Sequence, residues 1–420
     1  MKIFVVEPYL RNPGHYERLA LRTCEVFARL GNAVTLVTYN GMNGDGARDF
    51  LPFTVANAIS VKSRKPSART AQPIYPRGLR TLLRWHIREY RTSLLLRSLL
   101  PGAEPSITHF YDADPVALTF VINFMLRPRR KRARPAIVLT IHQMGESLNP
   151  SRRMTTRIYR SIYRRCYRRL VTRDLDGVVV LDPSLKSGLL NYFNLDRERA
   201  ALIRVLPHGI GDPVDEVSKN EARQRLHLPA GDVIFLVFGV LRKDKRVDLA
   251  IEAVKDMPGG RLVIAGGAQD FTESAIADLI HRQGCEKWVT ADIDYIPEQR
   301  MHDYFSACDA VIIPYDHLFK GLSGILTLAC GHGRPVIASD VSLLGETVKR
   351  RQIGFTVEPD SAPALREAML RFLSLTADER AQMERRVQFY ASEMSWDSAC
   401  EKWLEFYREL LDLRSKPRPS

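Results

Sequence analysis

A chain of 420 residues is too long for one ordinary core, and a norm of roughly 100–200 residues per domain points to two. Hydrophobic residues at 45% and charged residues at 26% exclude collagen-like, low-complexity and extensively disordered chains. The 62 Lys plus Arg against 48 Asp plus Glu leave a charge of +14, which attracts polyanions without choosing among nucleic acid, phospholipid headgroups and phosphorylated small molecules. Cys24, Cys166, Cys285, Cys308, Cys330 and Cys400 are scattered with no C-x-x-C pair, so neither a zinc site nor a disulfide framework is expected and a reducing cytosol fits.

Residues 3–6 are a β-branched and aromatic run, too short an apolar stretch for a signal peptide, and no run reaches the roughly 18 residues of a membrane span. Any membrane contact is therefore expected to be peripheral. A Pro/Gly turn at 8–14 leads into a helical pattern over 17–30, which Gly31 ends, and a strand follows at 33–38. Strand, helix, strand in so short a span is a βαβ unit of a parallel sheet. The theme returns with strands predicted at 107–110, 137–141 and 177–181. Residues 202–206, then Pro207-His208-Gly209 and a loop at 211–213, end the pattern and mark a crossover.

A second series begins there. Strands at 233–239, 261–265, 310–314 and 335–339 alternate with helices near 246–254, 298–307 and 322–331. A last helix over 396–413 places Ala399, Trp403, Phe406 and Leu410 on one face, and the tail beyond Arg414 is expected to be disordered. The expected organisation is α/β throughout: a Rossmann-like domain at 1–206, a second at 207–390, a helix at 391–413 and a tail at 414–420. Open parallel sheets bind ligands at the carboxyl ends of their strands, so the site is expected in a cleft between the domains. Periplasmic binding proteins and two-domain dehydrogenases share this architecture, so particular residues must choose among them.

The most informative stretch is residues 238–253, where a strand ends at Gly239 and a basic turn with Arg242, Lys243 and Lys245 precedes an amphipathic helix. Such a turn offers backbone N–H groups, a positive helix end and full charges to a phosphate. A solvated basic loop is the competing reading. In a second stretch, Gly321, Ser323 and Gly324 stand just before a helix, where small residues let a bulky anion approach the backbone.

With these stretches the sequence resembles the retaining glycosyltransferases of family four, which have the GT-B fold. The resemblance runs through the glycine turn after strand one, Leu206-Pro207-His208-Gly209-Ile210, the G-x-L-x-x-x-K turn ending at Lys245, Cys308-Asp309-Ala310, the G-R-P-V-I-A-S-D run at 333–340, Gly354-Phe355 and a closing S-W-x-x-x-C helix. It implies two Rossmann-like domains facing across a cleft, with the carboxyl-terminal helix crossing back to the first. It also implies a nucleotide-sugar donor on the second domain and an acceptor on the first. Lys245 would contact the donor diphosphate, and Gly14 would lie in the amino-terminal loop that approaches it. The family's arginine beside the strand-ending glycine is replaced by Val240, and Arg242 is expected to supply that charge from two residues on.

The family's paired glutamates, spaced Glu-x7-Glu, are replaced by Lys320 and Leu328. Leu328 cannot accept a hydrogen bond and Lys320 has the opposite charge, so donor recognition departs from the family's usual contacts. A lysine facing the sugar would suit a donor with its own carboxylate. His142 stands at the end of a predicted strand, where polar side chains face the cleft, and the resemblance puts a sugar-contacting histidine there. His15 is a second candidate. The catalytic pair is then His142 and Lys245, with Gly14, Gly239, Arg242, Lys245, Lys320, Gly321, Ser323 and Gly324 at the donor.

Asp112-Ala113-Asp114 matches the D-x-D metal pattern of the other large glycosyltransferase fold. It falls where this family has an H-x-x-D-P-like loop, and no metal or other cofactor is expected. Eight arginines and no acid lie between Arg152 and Arg169, with Met154, Ile158, Ile162 and Tyr163 at helical spacing, and residues 77–97 are similarly basic and apolar. Both suit an anionic membrane surface or a lipid-linked acceptor, and no nucleic-acid module accompanies them. The expected protein is a cytoplasmic, metal-independent hexosyltransferase of polysaccharide biosynthesis, peripheral at the inner membrane face and acting on a glycan or lipid-linked acceptor. Its mechanism would be front-face substitution with retention. The rival readings are a catalytically silent nucleotide-sugar-binding or scaffold protein and, less favoured, a nucleotide-sugar epimerase.

Overall fold

The β-branched runs become the strands of two parallel sheets in the computed structural model, which describes residues 1–7, 15–38, 53–57, 87, 90–92, 94–96, 98–99, 105–111, 135–142, 161, 164–206, 208–211, 217–319 and 323–415. The chain divides into two compact units, Met1–His208 with Trp396–Ser420, and Gly209–Ser395.

The first unit runs β1 (Lys2–Val6), α1 (His15–Arg29), β2 (Ala33–Thr38), β3 (Thr54–Asn57), β4 (Ser106–Phe110), β5 (Ala136–Ile141), β6 (Gly177–Val180), α2 (Pro183–Phe193), α3 (Arg197–Ala201) and β7 (Ile203–Val205). Its sheet has the order β3-β2-β1-β4-β5-β6-β7, and each neighbouring pair is parallel. Strand side chains alternate between two covered faces: Ile3 and Val5 enter one apolar cluster, Phe4 and Val6 the other. Burial on both faces is why these strands read as continuous apolar runs.

The second unit continues with α4 (Lys219–Arg225), β8 (Val233–Phe238), α5 (Val247–Val254), β9 (Gly260–Ala265), α6 (Glu273–Gln283), β10 (Val289–Asp292), α7 (Glu298–Ala307), β11 (Ala310–Ile313), α8 (Gly324–Gly331), β12 (Val336–Ser339), α9 (Ser342–Arg351), β13 (Gly354–Val357), α10 (Ala362–Ser374) and α11 (Ala377–Glu393). The sheet order is β10-β9-β8-β11-β12-β13, again parallel. The order reverses direction at β8, which has β9 on one side and β11 on the other. The crevice at the carboxyl ends of β8 and β11 is therefore the ligand position that this topology provides.

The last helix, α12 (Trp396–Ser415), belongs to the first unit. Trp396, Ala399, Cys400, Trp403, Leu404, Phe406, Tyr407 and Leu410 are its buried stripe, and all but Ala399 join the cluster formed by α1 and one face of the first sheet. A Cβ on Gly177 would come within 2.8 Å of both Leu410 Cδ1 and Phe406 Cζ, so a bare backbone at β6 is what lets α12 pack this closely. The Ile210 N–H donates to the Met394 carbonyl at 2.7 Å, so the outgoing and returning segments lie side by side on the second unit.

Several elements differ from the sequence reading. The sequence pattern does not separate strands β3, β10 and β13 from loops, because each has only four residues and is incompletely buried. Residues 203–205, read as part of the crossover, form β7 at the edge of the first sheet. The helix expected from 322 starts at Gly324, because the Ser323 side chain caps it, and the last helix continues past Leu413 to Ser415.

Candidate functional site

The second unit assembles its basic turn from strain and burial. Gly239, directly after β8, has φ +92°, a conformation that favours glycine. A Cβ on Gly266, after the neighbouring β9, would lie 2.2 Å from the Gly239 carbonyl oxygen, so the two strand-ending glycines meet backbone to backbone. The chain then passes Arg242, winds one short 3₁₀ turn over Lys243–Lys245 and enters α5 through Arg246, whose φ is +43°.

This route turns Lys245 inward. Its side chain is only 7% exposed and its Nζ donates to the Phe238 carbonyl at 3.2 Å. Burial, aided by the nearby Arg242 guanidinium, lowers its pKa to about 8. Nζ lies 3.0 Å from where a Cβ on Gly239 would be, and Ile325 Cδ1, from the first turn of α8, lies 3.2 Å from the same point. The sequence-predicted residues Gly239 and Lys245 are thus brought together with Ile325, in the first turn of α8, at the carboxyl ends of β8 and β11. Ser323, 2% exposed, accepts from the Ile325 N–H at 3.1 Å, and its hydroxyl pairs with that of Tyr315 at 2.9 Å. A buried ammonium beside a helix amino terminus is a positive site for a phosphate group.

Arg242 is committed differently from the expectation of a spare charge. It forms two bonds to Asp244, Nε to Oδ1 at 2.9 Å and Nη2 to Oδ2 at 2.7 Å, so it meets an anion with a carboxylate already attached. Leu328 packs its side chain with the apolar cluster around Phe305 and Tyr390. Its carbonyl accepts from His332 Nδ1 at 2.8 Å.

In the first unit His142 follows β5. Its Nε2 donates to the Tyr111 carbonyl at 2.7 Å, which fixes the tautomer, since a carbonyl only accepts. Burial lowers its pKa to about 4, so the ring is neutral at pH 7. Tyr111, fully buried, serves two histidines. The Thr23 hydroxyl donates to the Leu19 carbonyl at 2.8 Å, so Tyr111 must donate to Thr23 at 2.9 Å and accept from His208 Nδ1 at 3.1 Å. The His142 and His208 rings stack with centroids 5.4 Å apart and planes at 22°. His109 lies beneath, bonded to Thr140 and Tyr407 at 2.7 and 2.6 Å, its pKa lowered to about 3 by burial.

Gly14, Lys320, Gly321, the His15 side chain, Asp112 and Asp114 lie outside the described residues, as does most of the arginine-rich segment, of which residues 164–169 are helical. Among the described residues no group of three or more His, Cys, Asp or Glu side chains is placed to hold a metal ion. Sequence reasoning missed the role of Tyr111. It fills an unspecified position of the H-x-x-D-P-like loop, and only the fold brings it to Thr23, His142 and His208.

Two family models match the chain in series. The family described as Glycosyltransferase Family 4 matches residues 16–211, and Glycosyl transferases group 1 matches residues 218–388. D-inositol 3-phosphate glycosyltransferase of Rhodococcus erythropolis is 31% identical over 205 residues, covering 46% of this chain and 44% of the relative. The same enzyme of Mycolicibacterium paratuberculosis is 29% identical over 197 residues, with the same coverage. The matched stretch thus spans less than half the length of these relatives. Among solved structures, sucrose-phosphate synthase from Thermosynechococcus elongatus superposes with TM-score 0.68 at 19% identity, covering 98% of this chain and all of that one. Anabaena HepE, solved in complex with UDP and glucose, superposes with TM-score 0.66 at 16% identity, covering 97% of this chain and all of that one. With the two family matches in series along the chain and a parallel sheet in each of its two units, the chain belongs to glycosyltransferase family 4 and has the GT-B fold.

Proposed function

We propose that the chain transfers a hexosyl group from a nucleotide-diphosphate donor to a glycan or lipid-linked acceptor, with retention at the anomeric carbon and without an essential metal. The observation that carries this reading is the convergence of the buried Lys245 ammonium, Gly239 and the first turn of α8 at the carboxyl ends of β8 and β11. As the bond from the anomeric carbon to the diphosphate oxygen breaks, negative charge grows on that oxygen. A preorganised donor at such a point is worth roughly 2.7–4 kcal/mol.

In the proposed step the acceptor hydroxyl attacks the face from which the diphosphate departs. Its proton passes to a leaving phosphate oxygen, so charge and atoms balance without a carboxylate nucleophile. His142, neutral and with Nε2–H committed to Tyr111, would meet the sugar as a hydrogen-bonding group and not as a cation. UDP-sugars are the first donors to test, since HepE was solved with UDP; the lysine at position 320 adds uronic acid donors to the panel. The arginine-rich segment between Arg152 and Arg169 supports an acceptor at an anionic membrane surface on the cytoplasmic side.

The test is a thermal-shift and donor-hydrolysis screen against UDP-, GDP- and ADP-sugars, with Lys245→Ala as control. Stabilisation and turnover that vanish in the variant establish the enzyme and its donor. Stabilisation without turnover leaves a nucleotide-sugar-binding protein, and no response to any donor overturns the reading.

A further inference from the structure

We propose that Asp360 is a positioning residue for Lys245, acting through a clamp that joins three separate stretches of the second unit; this rests on the donor-site reading above. Asp360 follows β13 in the left-handed region, with φ +60°. Its Oδ2 accepts from the His317 main-chain N–H at 3.2 Å and from His317 Nδ1 at 2.6 Å, while Oδ1 accepts from Arg246 Nη1. These bonds, that from the His317 side chain foremost, hold the carboxyl below its ordinary pKa, so it stays ionised at neutral pH.

Each partner sits where position matters. Arg246 follows Lys245 directly and carries the strained φ that turns the 3₁₀ turn into α5; it also binds Asp248 through Nη2 at 2.9 Å. His317 lies on the loop after β11. That loop is tied to the same basic turn by the Asp316 N–H, which donates to the Asp244 carbonyl at 2.9 Å. Within the loop the Tyr315 and Phe319 rings approach to 4.3 Å, and the Tyr315 hydroxyl reaches the Ser323 cap of α8. Asp360 therefore closes a frame with the basic turn on one side and the Tyr315–Ser323 link to α8 on the other. The Lys245 ammonium, held by one bond to Phe238, takes its place from that frame.

A loss of this frame displaces a charge without removing it, and a misplacement of about 1 Å can cost on the order of 100-fold where geometry governs the interaction. Binding of UDP, GDP and ADP by titration calorimetry is the readout, using the full chain. Asp360→Ala is expected to weaken whichever nucleotide the wild type binds by about tenfold. His317→Ala, at a side chain 66% exposed that can be removed without unfolding the unit, is expected to weaken it in the same direction. In a Lys245→Ala background neither substitution should weaken binding further, because both act through the lysine. His317→Asn, which keeps an N–H donor towards Asp360, should recover part of the loss.

Wild-type affinity in both single variants, or an equal loss with and without Lys245, overturns the clamp while leaving the donor site intact. Failure of the wild type to bind any of the three nucleotides removes the donor-site reading and the clamp with it. A variant Asp360→Ala that does not fold leaves His317→Ala to decide.

Discussion

Lys245 and Gly239 are fitted to each other: the lysine Nζ lies 3.0 Å from the position that a glycine Cβ would take. The glycine also holds φ +92°, so two penalties fall on a single added methyl group. Gly239→Ala should cost roughly 1–2 kcal/mol of stability for the left-handed backbone. It should also push the ammonium off its mark, weakening nucleotide binding by at least about tenfold where orientation governs. Denaturant unfolding and calorimetry read the two effects separately; unchanged binding in a folded variant would show that Lys245 does not touch the nucleotide.

The lowered pKa of Lys245 makes anion binding depend on pH. In the free protein the amine loses its proton as pH rises through about 8, whereas a bound diphosphate favours the charged form and raises that value. Affinity for a nucleoside diphosphate should therefore be highest near pH 7, where the terminal phosphate has already lost its second proton, at about pH 6, and the lysine is still charged. Above about 8 it should fall, with a limiting slope of about tenfold per pH unit. Lys245→Arg keeps its charge throughout and should flatten the profile wherever it still binds. A wild-type affinity that does not change between pH 7 and 10 would place the lysine away from the anion.

How much of this was legible in the sequence follows from what each residue depends on. The strands at 3–6, 137–141 and 233–238 announced themselves because both of their faces are buried, which leaves long apolar runs. β10 and β13 did not, being short strands at the two edges of their sheet. Lys245 and Gly239 could be read because a turn of fixed length places them relative to one strand end. Asp360 and His317 could not, since a contact across 43 positions is made by the sheet order and carries no local signature. His142 was legible as a strand-end residue, yet its tautomer depends on a carbonyl supplied by β4's neighbour Tyr111, which only the β4–β5 pairing brings alongside.

Tyr111 links the two histidines, so removing its hydroxyl should have a measurable cost. Tyr111→Phe leaves the ring in place but takes away the acceptor for His208 Nδ1 and the donor to Thr23. Leaving buried polar groups without their partner costs about 1–3 kcal/mol. The expected outcome is a loss of that size in denaturant unfolding, with the His142 bond retained because it goes to the Tyr111 main chain. A stability equal to wild type would mean that the hydroxyl network is not formed in solution.

Acid should destabilise the fold through histidines that it buries wholly or in part. His109, His142 and His332 have folded pKa values lowered to about 3, 4 and 4, chiefly by burial. An unfolded histidine takes up its proton near pH 6.5, so from there down to about 4 the unfolded chain binds more protons than the folded one. Stability is thus full above pH 6.5 and declines as pH falls, by up to about 1.4 kcal/mol per pH unit for each histidine. The carboxylates with lowered pKa values, such as Asp360, act in the same direction but at lower pH. His142→Asn removes one of the three titrating rings and keeps a group able to donate to the Tyr111 carbonyl, so its stability should fall less steeply between pH 6.5 and 5. Parallel pH profiles for wild type and variant would show that His142 is protonated as readily in the folded protein as in the unfolded chain, and that the neutral ring is not its state in solution.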